Sequence, residues 1–205
     1  MKVIIVAGFL GSGKTTLVLA VAERLIQAGG KKVSIIVNDF GAVGIDGKVM
    51  EKYGLQIMEL SSGCICCALG PDLVKTVHDL ESNIAPDIIM IEPTGVADPR
   101  AIVSALKDYR TGPITITTMV IIDAVRLGAI ARALSMQLET QMRAADMILV
   151  NKMDVVDEKA LFEVNSVLST VPSSVKVMQI SALNGSGVLG VVDEIEKIMH
   201  VKAGS

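Results

Sequence analysis

Gly8-Phe9-Leu10-Gly11-Ser12-Gly13-Lys14-Thr15-Thr16 lies between the apolar run Val3-Ile4-Ile5-Val6 and a stretch from Leu17 to Ile26 patterned as a helix. Glycine, four residues, then Gly-Lys-Thr is the spacing of a phosphate-binding P-loop. Glycines let successive backbone N–H groups curl around phosphate oxygens, and the following helix adds the positive end of its dipole. Gly8, Gly11, Ser12 and Gly13 then supply the cradle and Thr16 closes it. Lys14 would reach the β- and γ-phosphates, and the Thr15 hydroxyl would ligate Mg²⁺. A glycine-rich turn without function could share the spacing, but it would not require this strand before it and this helix after it.

Outward from the loop, buried strands are expected at residues 2–7, 32–37, 87–91, 114–122, 147–150 and 175–180, each a short run of aliphatic residues. Helical patterning fills the intervals at 72–80, 99–106, 158–168 and 187–199, and a further helical region carries Gln137 and Gln141. This alternation predicts an α/β fold: a three-layer, doubly wound, mostly parallel sheet of the P-loop NTPase type. Residues 1–200 are expected to form a single P-loop domain and 201–205 a short disordered tail. Within that domain, the apolar pieces at 48–50 and 55–60 are expected to pair as a small hairpin.

The 205 residues are 51% hydrophobic yet only 2% aromatic, so the core must be aliphatic, and the 11 methionines fit as gap-fillers. A net charge of −3 gives no basic footprint, so neither nucleic acid nor an anionic membrane is expected as a partner. No apolar run spans a bilayer and no signal peptide precedes the first strand, which points to a cytoplasmic protein.

Each remaining polar motif closes an apolar strand, where ligands of open α/β sheets bind. Asn38-Asp39-Phe40-Gly41 follows the second strand; Asp39 could orient Mg²⁺, its bound water or another metal, or be a solvated turn residue. Glu92-Pro93-Thr94-Gly95 follows the third. Glu92 suits a carboxylate that holds Mg²⁺ through water, and Gly95 can present its N–H to a γ-phosphate and move when that phosphate leaves. Asp123 closes the fourth.

Asn151-Lys152-Met153-Asp154 closes the fifth strand. Asp154 can accept two hydrogen bonds from the guanine N1–H and exocyclic amine, a pair adenine does not offer, while Asn151 and Lys152 fix the ring. Ser181-Ala182-Leu183 at the sixth strand end offers a backbone N–H to the guanine O6. Alone the tetrapeptide could be a helix-capping loop; its order after Glu92 and before Ser181 favours guanine.

Cys64, Cys66 and Cys67 are the only cysteines. Following Gly63, they could present thiolates on one side of a tight turn, suited to Zn²⁺ or Cu(I), or form a buried cluster or redox pair. His78 could lie near them or sit on a helix surface.

Taken together, the stretches 8–16, 38–41, 63–67, 92–95 and 151–154 resemble the CobW-like P-loop GTPases, grouped with the hydrogenase-nickel and urease accessory proteins HypB and UreG. The resemblance covers nearly the whole chain, and Cys-x-Cys-Cys is its most specific part. It implies GTP hydrolysis of low intrinsic turnover coupled to metal transfer, with zinc, cobalt or nickel as cargo. It further implies a client metalloprotein or cofactor-assembly enzyme, and a homodimer in the GTP- or metal-bound state. Lys14, Asp39, Glu92 and Gly95 would be the catalytic set; no residue is identifiable as a catalytic base. Such proteins often carry a further C-terminal domain and a histidine-rich stretch, and the expectation here is the GTPase domain alone. Asp39 stands where many relatives have Glu, and Phe9 where the deviant P-loop ATPases have lysine. A GTP-dependent activator of a metalloenzyme or corrinoid protein with structural zinc is the alternative, and an ATP-dependent small-molecule kinase the weaker third reading.

Overall fold

The computed structural model describes residues 1–37, 56–59, 65–108 and 113–200. In chain order these form β1 (Lys2–Gly8), α1 (Lys14–Gly29), β2 (Val33–Val37), β3 (Gln56–Glu59), α2 (Ile65–Asn83), β4 (Ile88–Glu92), α3 (Pro99–Asp108), β5 (Thr115–Asp123), α4 (Leu127–Ala133), α5 (Ser135–Arg143), β6 (Met147–Asn151), α6 (Glu158–Leu168), β7 (Lys176–Gln179) and α7 (Val188–His200). One sheet of 7 strands runs in the order β3-β2-β4-β1-β5-β6-β7, and every described strand pairing is parallel.

The alternation of side chains along β1 explains the three layers. Ile4 and Val6 point to one face, where they pack with Leu17, Val21 and Leu25 of α1 and Val188, Val191 and Ile195 of α7. Val3 and Ile5 point to the other, among Leu73, Val77 and Leu80 of α2 and Ile102 and Leu106 of α3. Farther along that face, Ala7 and Val120 meet Leu127 of α4, Leu138 and Met142 of α5 and Val164 of α6. Both faces being covered, β1 is a continuous apolar run, and each of its buried Val and Ile side chains contributes about 1.5–3 kcal/mol.

Two local signals set helix ends. Gly30, left-handed at φ 59°, closes α1 with its N–H on the carbonyls of Ile26 and Leu25. Asp157 caps α6 by accepting the Ala160 N–H at 2.7 Å.

The six expected strands are present. The piece at 56–59 is a seventh strand, paired in parallel with β2 from Ser34↔Gln56 to Val37↔Glu59; its expected hairpin partner at 48–50 lies outside the described residues. A strand as short as Gln56-Ile57-Met58-Glu59 satisfies its backbone equally well against a hairpin partner or an open sheet edge, and the sequence does not choose. Helix α2 begins at Ile65, seven residues before the expected start, and runs through Pro71. The tail at 201–205 lies outside the described residues.

Candidate functional site

The carboxyl ends of β1, β4, β5 and β6 bring their following loops into one cleft of about 1050 Å³. Its lining includes Gly11, Gly13, Lys14, Thr15 and Thr16, then Glu92 and Gly95, and at the other end Asn151, Lys152, Asp154, Ser181, Ala182 and Leu183. Of the remaining P-loop residues, Ser12 is fully buried under the loop. Gly8, at φ 143°, has no room for a side chain: a Cβ there would meet the Ile121 carbonyl oxygen at 2.4 Å.

Gly13 is left-handed at φ 97°, and a Cβ on it would stand 2.3 Å from Asn151 Nδ2. That closeness comes from a hydrogen bond to the loop. The buried Asn151 side chain donates from Nδ2 to the Ser12 carbonyl at 2.8 Å and accepts the Ala182 N–H on Oδ1 at 2.8 Å. It is a strut between the phosphate loop, β6 and the loop after β7. The Ala182 N–H is thus engaged by Asn151, and the Ser181 N–H by the Ser186 carbonyl at 2.9 Å. Asn151 thereby positions both loops.

Lys152 has a left-handed backbone, φ 69°, a conformation that costs a non-glycine residue about 1–2 kcal/mol. The Met153 N–H bonds the Ile180 carbonyl at 3.2 Å on the far side of the kink, and Asp154 is left exposed at the cleft. Lys152 Nζ meets Asp123 Oδ2 at 2.7 Å.

At the phosphate end, Thr15 Oγ1 donates to Glu92 Oε1 at 2.8 Å, and Lys14 Nζ to the Phe9 carbonyl at 3.3 Å. Burial lowers the Lys14 ammonium from its ordinary value, against the pull of Glu92. Burial likewise raises the Glu92 carboxyl, against the Thr15 hydrogen bond and the Lys14 charge. Both groups are costly to ionise as they stand, and each would gain from a ligand of opposite charge. Glu92 Oε2 is buried with no hydrogen-bond partner. A carboxylate oxygen and a hydroxyl side by side are hard donors suited to Mg²⁺, so these residues fit that ion.

Gly95 abuts the P-loop so closely that a Cβ would stand 2.6 Å from the Leu10 nitrogen. Its carbonyl and that of Ala97 both accept from Gln141 Nε2, at 3.0 and 3.2 Å.

Three residues here were not assigned roles from sequence. Gln141 is fully buried on α5; its signal was a polar residue on the same helical face as Leu138 and Met142. Asp123 is buried too, and its position closing an apolar strand was the available clue. Its carboxyl pKa is lowered: burial works to raise it, and the hydrogen bonds and charges of Lys152 and Arg126 outweigh that. Arg126 had no sequence signal at all.

Asp39 and Cys64 lie outside the described residues. Cys66 and Cys67 belong by backbone to the first turn of α2, not to a tight turn, and their side chains are not among those described. His78 is an exposed residue of α2, beside Asp79 at 3.9 Å and about 16 Å along the helix from Cys67. Among the described residues no group of three His, Cys, Asp or Glu side chains could hold a metal ion, and no helix is long and apolar enough to cross a membrane.

A parallel sheet with a P-loop after its first strand and polar motifs closing its later ones defines a nucleotide-binding domain of the P-loop class. Residues 2–179 match the CobW/HypB/UreG nucleotide-binding domain, and the chain belongs to that family. It is 34% identical over 212 residues to the zinc chaperone CobW of a Sinorhizobium species, covering 88% of this chain and 58% of the relative. The chain thus spans little more than half the length of that relative. The structure of the Zn(II)-bound YjiA GTPase from E. coli superposes with TM-score 0.64 at 25% identity, over 88% of this chain and 57% of that one. The hydrogenase maturation factor HypB from Archaeoglobus fulgidus shares the fold, with TM-score 0.70 at 18% identity over 98% and 91% of the two chains.

Proposed function

We propose that this chain binds and hydrolyses GTP with Mg²⁺ and couples that cycle to holding and releasing a transition metal, zinc foremost, with cobalt and nickel as the other candidate cargoes. The observation that carries the nucleotide half is the meeting of Lys14, Thr15, Glu92, Gly95 and Asp154 in one cleft. Lys14 holds the β- and γ-phosphates. Thr15 and Glu92 hold Mg²⁺ or its waters, and that ion's charge stabilises the phosphates. Gly95 reports the γ-phosphate, Asp154 selects guanine, and Lys152, which lines the cleft, holds the ring edge. Asp39 joins the Mg²⁺ set or the cargo set. Transition-state stabilisation rests mainly on P-loop electrostatics, so intrinsic turnover is low.

The cargo half rests on Cys64, Cys66 and Cys67, whose thiolates are zinc donors, and on the zinc-chaperone names of the relatives. The cysteines stand between the P-loop and Glu92 in the chain, and α2, which begins among them, leads into β4. A shift at the end of β4 on nucleotide binding would reach the cysteine segment through that helix. The recipient would be a client metalloprotein or cofactor-assembly enzyme, in the cytoplasm, with the chain acting as a homodimer in its GTP- or metal-bound state.

Competition of GTP and ATP for a fluorescent guanine nucleotide tests the nucleotide half. GTP should displace the probe at least a hundredfold more effectively than ATP, because an unpaired carboxylate at Asp154 penalises adenine. Equal displacement would restore the kinase reading.

A further inference from the structure

Arg126, at the head of α4, is tied to three parts of the site. Its Nε meets Asp123 Oδ2 at 2.5 Å, and the same oxygen takes Lys152 Nζ at 2.7 Å. Its Nη2 donates to the Leu10 carbonyl at 2.7 Å. The guanidinium lies so close to the loop that a Cβ at Gly11 would stand 3.0 Å from Nη2. Asp123 Oδ1 is meanwhile occupied by the N–H groups of Val125 and Arg126, at 3.1 and 3.3 Å. The result is a continuous polar chain, Lys152–Asp123–Arg126–Leu10, from the base end of the cleft to its phosphate end.

The Leu10–Gly11 peptide is planar and trans, so its C=O and N–H point in opposite directions. A cation that holds the Leu10 carbonyl therefore also fixes where the Gly11 N–H aims. Gly11 is left-handed at φ 73° and lines the cleft. Without an anchor, a glycine peptide in such a loop can flip at little steric cost.

We propose that Arg126 is a positioning residue for the phosphate loop: it locks the Leu10–Gly11 peptide so that the Gly11 N–H serves the β- and γ-phosphates. Through Asp123 it also couples that lock to Lys152 at the base end. The inference rests on the GTP reading of the cleft. Arg126 acts through backbone and touches no reacting atom, and its side chain is 47% exposed. Arg126→Ala leaves Lys152 on Asp123, so the buried carboxylate keeps a cation and the fold should survive. Arg126→Lys supplies a charge without the fork needed to reach Asp123 and Leu10 together.

The test measures affinities of the full chain for GMP, GDP and GTP, and kcat and KM for GTP, in wild type and both variants. In Arg126→Ala, GMP affinity should stay within about twofold, while GTP affinity and kcat each fall about tenfold or more. Arg126→Lys should recover only part of kcat. Equal losses for GMP, GDP and GTP would assign Arg126 a merely structural role, and unchanged kcat and GTP affinity would remove its role altogether; either overturns the proposal. Wild type that binds no GTP overturns the GTP reading and takes this inference with it, so the two failures are told apart.

Discussion

Thr15 Oγ1 donates to Glu92 Oε1 at 2.8 Å, joining the start of α1 to the end of β4 across 77 residues of sequence. Glu92 therefore sits on the phosphate loop with one oxygen bonded and the other, Oε2, buried without a partner. This carboxylate therefore carries a desolvation cost in the nucleotide-free protein and a use in the loaded one.

Glu92→Gln should accordingly separate stability from activity. The Glu92 pKa is raised from 4.5 chiefly by burial. A carboxyl with a raised folded-state pKa leaves the protein most stable below its unfolded value, and that stability is lost as pH rises through the folded value. Thermal melts of nucleotide-free wild type should thus fall as pH increases from about 4.5 into the raised range, and the variant should lack that fall. Its melting point at neutral pH should exceed that of wild type by a few degrees, while Mg²⁺-dependent GTP hydrolysis drops a hundredfold or more.

Asp123→Asn should act in the opposite sense. Its pKa is lowered: burial opposes this, and Lys152 and Arg126 prevail. Stability from a depressed carboxyl is present above the unfolded value of 3.8 and lost as pH falls through the folded one. At neutral pH the substitution should cost about 1–3 kcal/mol in urea unfolding, discounted from a fully buried pair because both cations are partly exposed. The difference from wild type should shrink below about pH 4.

Asp154→Asn exchanges two acceptors for an acceptor and donor. Xanthine carries a carbonyl where guanine carries the amine, so the variant should prefer XTP to GTP, each change being about 1–3 kcal/mol. Competition binding with the two triphosphates checks it.

Gln141→Leu removes the donor held by the Gly95 and Ala97 carbonyls and leaves both without it. The expected cost is about 1–3 kcal/mol, with faster amide exchange at Val96 and Ala97 as the local signature.

What was legible in the sequence was what is written locally. The P-loop, Glu92 at a strand end and Asn151 to Asp154 each carry their chemistry in consecutive residues, and the strand-helix alternation fixed the sheet on which they meet. What escaped depended on pairing across the fold. Arg126 is an ordinary surface arginine until β5 and β1 lie side by side, in the register Gly8↔Ile121, and bring Leu10 to it. The bonds of Asn151 to Ser12 and Ala182 join distant segments and are not legible in its own tetrapeptide. The parallel pairing of 56–59 with β2 was not legible because Gln56-Ile57-Met58-Glu59 does not encode its partner. The early start of α2 was missed because Gly70-Pro71 resembles a break, although proline is tolerated in a first turn and, here, within the helix.

The most direct test is zinc affinity of the full chain, measured by competition with a chromophoric chelator, with no nucleotide, with GDP and with a nonhydrolysable GTP analogue plus Mg²⁺. Coupling requires that the nucleotide change the metal affinity by the same factor as the metal changes nucleotide affinity. The GTP analogue should shift zinc affinity at least fivefold relative to GDP, and the shift should vanish together with high-affinity zinc binding in a variant with Cys64, Cys66 and Cys67 all replaced by Ser. Identical zinc affinities in all three nucleotide states would contradict it.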